Sequence, residues 1–103
     1  VNVKRRPQFL LDLAEELLWL KNNAGSETAE RWYESLQDSI AFLEKHPLIG
    51  RERADLTPVG IRSWKISDFP RWLLFYQVKN GRDIVFLRVR IGNMNLGVLK
   101  MES

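Results

Sequence analysis

The chain has 103 residues, a formal net charge of +3, no cysteine and one histidine. Its length suits one domain around one core, and a composition that is 45% hydrophobic and 28% charged is globular, not disordered. Disulfides and thiolate chemistry are excluded, and a lone histidine leaves too few of the ligands zinc sites draw on, so neither a metal nor a cofactor is expected. No apolar run approaches the ~20 residues a membrane span needs. No stretch has the layout of a secretory signal, and a cytoplasmic location is the expectation. The charge is unevenly spread: the first 50 residues are net acidic and the rest net basic. A basic second half suggests an anionic partner, either nucleic acid or an acidic protein, or else a plain solvated basic surface.

Residues 1–5, VNVKR, alternate weakly and read as a short edge strand. Pro7 suits the first turn of a helix, where its missing N–H costs nothing. From Phe9 to Asn23 the apolar residues Phe9, Leu13, Leu17 and Leu20 recur at helical spacing, widened by Leu10, Leu18 and Trp19. NNAGS breaks this helix, and a second runs from Ser26 to about Lys45, with Ala29, Tyr33, Leu36, Ile40 and Leu43 on one stripe and Trp32 beside it. Pro47 ends it, since the residue before a proline disfavours the α conformation. His46 reads as a helix-end residue, favourable at the negative end of the dipole. Residues 51–60 read as a loop, and residues 61–66, 71–79 and 82–91 as strands. The fold class is therefore α+β: a two-layer β-α-α-β-β-β domain over residues 1–103, with a helical hairpin packed on one face of a largely antiparallel sheet.

Asn80-Gly81 signals a two-residue type I′ hairpin. Lys79 then pairs with Arg82, and successive pairs follow outward. One face carries Tyr76–Val85, Leu74–Leu87 and Trp72–Val89 and should meet the helices. The other carries Gln77–Ile84, Phe75–Phe86, Leu73–Arg88 and Arg71–Arg90. Aromatics beside arginines suit an acidic amphipathic peptide, or stacked bases with phosphates nearby. The alternative is that the tail LGVLKM folds over the aromatics while arginine stems fill the rest. The candidate partner- or anion-binding residues are Arg62, Lys65, Arg71, Phe75, Phe86, Arg88 and Arg90. No catalytic residue is assigned: general acid–base cleavage of RNA needs two proton-transfer groups, and Tyr76 faces the core in this register while His46 sits at a helix end.

FLLDLAEELLWL, AERWYESLQDSIAFLEKHPLIGR, GIRSWKISDFPRWLLFYQV and DIVFLRVRIGNMN, in that order, resemble the RelE/ParE superfamily of bacterial type II toxins over nearly the whole chain. HPLIGR, GIRSW and LRV are closer to the ParE-like branch. The resemblance implies a small cytoplasmic toxin, associated with plasmid stabilisation, that is neutralised by a cognate antitoxin and forms a homo-oligomer or a toxin–antitoxin hetero-oligomer. It implies DNA gyrase as target for a ParE-like member. It implies the ribosome, with metal-independent mRNA cleavage, for a RelE-like one. An inactive antitoxin-binding module is the third reading. The tail NMNLGVLKMES carries one basic residue, Lys100, and no tyrosine, which departs from the ribonuclease branch.

Overall fold

Pro7 opens the first helix as its missing N–H allows. Helix α1 spans Pro7–Ala24 and α2 spans Ser26–Lys45, with Gly25, at φ 94°, turning the chain between them. The computed structural model describes residues 2–92 and 101. The strands are β1 (Val3–Arg5), β2 (Arg51–Glu52), β3 (Ile61–Ile66), β4 (Phe69–Lys79) and β5 (Asp83–Ile91). They form one sheet in the order β1-β5-β4-β3-β2, antiparallel except for β1, which runs parallel to β5. The expected architecture holds. Sequence reasoning missed only β2, because two residues inside a loop carry no periodicity.

The helices pack on one side of the sheet, over a core that includes Phe9, Trp32, Leu36, Leu43, Trp72, Leu74, Tyr76, Ile84, Phe86 and Val89. A second, smaller cluster of Leu56, Ile61, Phe75, Val85, Leu87 and Met101 lies across the sheet from the helices. Both sides of the sheet therefore bury apolar surface. Of the expected helical stripes, Tyr33 and Trp19 are exposed, whereas Asp12 and Glu16 of α1 are buried.

The hairpin register departs from the expectation. Arg82 N–H does donate to Lys79 O, and Asn80 and Gly81 both have positive φ, at 56° and 74°. The ladder, however, starts at Lys79↔Asp83, leaving Arg82 in the loop, so β5 is shifted by one residue near the turn. That shift moves Ile84 and Phe86 to the helices and Val85 and Leu87 to the other side, as period-two alternation requires. A bulge then adds a second residue: Tyr76 pairs with Phe86, but Phe75 pairs with Arg88, leaving Leu87 unpaired. Beyond the bulge the expected alternation returns, and Val89 and Leu74 face the helices together.

Candidate functional site

Two places gather the charged residues of the second half. One is the segment of β5 that β1 leaves uncovered. α1 runs past this edge, and Asp12 Oδ2 accepts the backbone N–H of Val89 at 3.2 Å. The same carboxylate takes a forked contact from Arg88, with Nε to Oδ2 at 2.6 Å and the second guanidinium nitrogen to Oδ1 at 3.0 Å. Asp12 is fully buried and Arg88 nearly so. Paired donors and acceptors of this shape make the strong form of ion pair. Arg90 reaches the same helix, 3.0 Å from Glu15 and 3.6 Å from Asp12. Burial pushes the Glu16 carboxyl above its ordinary range, a shift that the neighbouring Trp72 indole and Arg90 offset only in part. The arginines of β5 therefore hold the sheet edge to α1.

The residues before β2 form a second structural knot. Tyr76 is buried; its hydroxyl donates to Pro47 O at 2.8 Å and accepts the Gly50 N–H at 3.0 Å. A Cβ on Gly50 would lie 2.3 Å from that hydroxyl, so the close approach requires glycine. Arg62 donates to the carbonyls of Leu48 and Gly50 and pairs with Glu52. Burial raises the Tyr76 phenol above its usual value, with Gly50 and Arg62 acting the other way. A phenol held this way is a poor proton donor to any substrate.

The other place is the outer sheet face, across from the helices. Register puts Leu73, Phe75 and Val85 there, with Arg88 opposite Phe75, Arg90 opposite Leu73, and Ser63, Lys65 and Arg51 alongside, while Leu87, unpaired in the bulge, packs in the same cluster. Alternation along β4 adds Arg71. Arg53 closes one side, its guanidinium 5.8 Å from the Phe75 ring centroid and bonded to Asp55 at 2.7 Å. That pairing holds the Asp55 carboxyl down at about 2. Lys65 and Arg71 are exposed, and neither forms an ion pair among the described residues. This face is a buried apolar cluster, in which Phe75, Val85 and Leu87 pack with Leu56 and Met101, edged by a basic rim.

The seven candidate residues thus separate. Lys65, Arg71 and Phe75 share the outer face. Phe86 does not; it packs under α1, 5.7 Å from Phe9, because of the one-residue shift. Arg62 ties loop carbonyls; Arg88 and Arg90 start from the expected side, opposite Phe75 and Leu73, but their guanidinium groups reach over the sheet edge to α1. The expected Arg71–Arg90 pair is absent, since Arg90 pairs with Leu73. Sequence reasoning missed Asp12 and Glu16. Their signal was present: Phe9, Asp12, Glu16 and Leu20 fall on one helical face. It also missed Arg51, Arg53 and Lys4, whose positions depend on strand pairing. Met101 sits in the outer cluster with Phe75, while residues 93–100 of the tail lie outside the described residues.

A sheet whose one side takes a helical hairpin and whose other side is edged with cations defines the class. Residues 3–96 match the family described as ParE toxin of type II toxin-antitoxin system, parDE, and the chain belongs to that family. Among its relatives is Toxin ParE3 of Caulobacter vibrioides, 34% identical over 74 residues, covering 72% of this chain and 69% of that one. A solved structure described as the chromosomal ParDE TA system from P. aeruginosa shares the fold, with a TM-score of 0.72 and 19% identity over 88% of this chain and 95% of that one. No helix among the described residues is long and apolar enough to cross a membrane.

Proposed function

We propose that this ParE-family toxin acts by binding protein, and that a cognate antitoxin neutralises it by laying an acidic, amphipathic segment on the outer sheet face. The observation that carries this reading is the basic rim of Lys65, Arg71 and Arg51 around the outer cluster of Phe75, Val85 and Leu87, which Leu56 and Met101 already help to bury. The segment's carboxylates would meet the rim, and its apolar side chains would displace Met101 from the cluster. DNA gyrase is the target that family membership implies. The ribonuclease alternative is disfavoured by geometry: Arg88 and Arg90 are turned to carboxylates of α1, and the Tyr76 hydroxyl is bonded to loop backbone. Inhibition of purified gyrase, measured beside cleavage of ribosome-bound mRNA, tests the mechanism. Gyrase inhibition with intact message is expected; message cut inside codons would move the chain to the ribonucleases. Titration of Arg71→Glu with the antitoxin tests the surface, and unchanged affinity would reject it.

A further inference from the structure

The outer end of the β4–β5 hairpin holds a pocket that the partner reading does not use. Its volume is about 280 Å³, and its lining includes Asn2, Lys4, Arg6, Lys79, Asn80 and Asp83. Strand pairing assembles it. Lys4 opposes Val85, Val85 opposes Gln77, and Lys79 follows two residues along β4, so Lys4 and Lys79 project from the same side of the sheet. Positive φ at Asn80 turns the chain tightly beside them.

Charge at this pocket is handled unlike charge elsewhere in the molecule. Arg53, Arg62, Arg88 and Arg90 each meet a carboxylate within 4 Å. Lys4, Arg6 and Lys79 form no ion pair among the described residues. Asp83, the one acidic group in the lining, is already engaged: its Oδ1 accepts the Asn2 N–H at 3.0 Å and lies 3.9 Å from Arg82 Nε. Arg6 Nε is buried with no hydrogen-bond partner. Arg6 is also the residue at which α1 begins, with no side-chain cap and no acidic residue in the first turn. The positive end of that dipole adds to the same field.

We propose that this pocket binds a phosphate oxyanion, either free or as the phosphate end of a nucleotide. Three cations with no ion-pair partner among the described residues, and two asparagine side chains, present many donors around a small volume, which suits a compact multivalent anion. Titration of the ¹⁵N-labelled full-length chain with inorganic pyrophosphate, and separately with a nucleoside diphosphate, tests it. Expected are saturable amide shifts at Asn2, Lys4, Lys79 and Asn80, absent when sodium chloride is raised to equal ionic strength. Lys4→Ala and Lys79→Ala should each weaken binding about tenfold, the typical loss of one charge-assisted contact. Both side chains are exposed, so the thermal midpoint should not move, and Lys65→Ala should bind as the wild type does. Equal affinity for the two probes would assign the site to phosphate alone, and tighter nucleotide binding would assign it to a nucleotide. Shifts that rise linearly and spread to Arg51, Lys65 and Arg71, or full affinity in both alanine variants, would overturn the proposal. So would loss of antitoxin binding in those variants with no pyrophosphate binding by the wild type, which would give the pocket to the protein partner.

Discussion

The arginines of β5 and the cations of the outer rim are the same chemistry put to opposite uses. Arg88 and Arg90 give their charge to Asp12, Glu15 and Glu16, all on α1. Lys65 and Arg71 keep theirs toward solvent. The difference follows from what lies within reach. β1 covers β5 only as far as Phe86, so beyond that point α1 and its acids are the nearest neighbours. Among the described residues, β3 and β4 have no helix on their outer side. The lesson is that an arginine count on a strand does not measure a binding surface; the strand's neighbours decide whether the charge is spent internally.

The contrast breaks most visibly at the buried pair. Arg88→Ala leaves Asp12 charged, buried and without its forked partner, and should cost about 3–5 kcal/mol in urea unfolding. Replacing both, as Arg88→Met with Asp12→Leu, should recover most of that loss, because two apolar side chains need no solvation. A double variant as unstable as the single would mean the pair does more than neutralise itself.

Tyr76→Phe sharpens the contrast on the structural side. It removes the donor to Pro47 and the acceptor for Gly50, leaving both backbone groups unpaired, and should cost about 1–3 kcal/mol. The gyrase inhibition proposed above should stay unchanged per folded molecule.

Glu16 supplies a pH test. Its folded-state pKa is raised, so the folded state holds the proton more tightly than the unfolded chain does. Stability therefore falls as pH rises from the ordinary carboxylate value of 4.5 through the folded value, and Glu16→Gln should remove that dependence. The variant should gain on the wild type as pH rises through this window. Asp55 acts with the opposite sign in a separate range, its contribution fading as pH falls from 3.8 toward about 2.

Lys65→Glu should change stability least, by under about 0.5 kcal/mol, since the side chain is exposed and forms no ion pair among the described residues. It should still weaken the antitoxin complex measurably. A rim variant that unfolds the protein, or leaves the complex intact, would erase the distinction between the two groups of cations.

Helical periodicity made both helices legible, and α2 ends where the proline signal puts it, at Lys45. The Asn80-Gly81 turn was legible too, because its positive φ demands those residue types. What could not be read was the extra residue in the loop and the bulge at Leu87, since every residue of IVFL is apolar and suits either side of a sheet buried on both faces. That ambiguity misplaced Phe86. Arg88 was hidden for another reason: its partner lies 76 residues away, on α1.

The bulge at Leu87 also says something about length. Removing one residue from a regular strand is a frameshift in side-chain direction, inverting everything beyond it. Leu87 is the surplus residue between two otherwise continuous ladders, Tyr76↔Phe86 and Phe75↔Arg88. Its deletion leaves every remaining pair in phase, whereas deletion of Val85 does not. A chain lacking Leu87 should therefore fold, weakened by the lost contacts of one side chain, while a chain lacking Val85 closes the ladder only by exchanging the sides of Phe86 and Leu87 and should be weakened far more. Relatives one residue shorter in this strand can keep the same two faces.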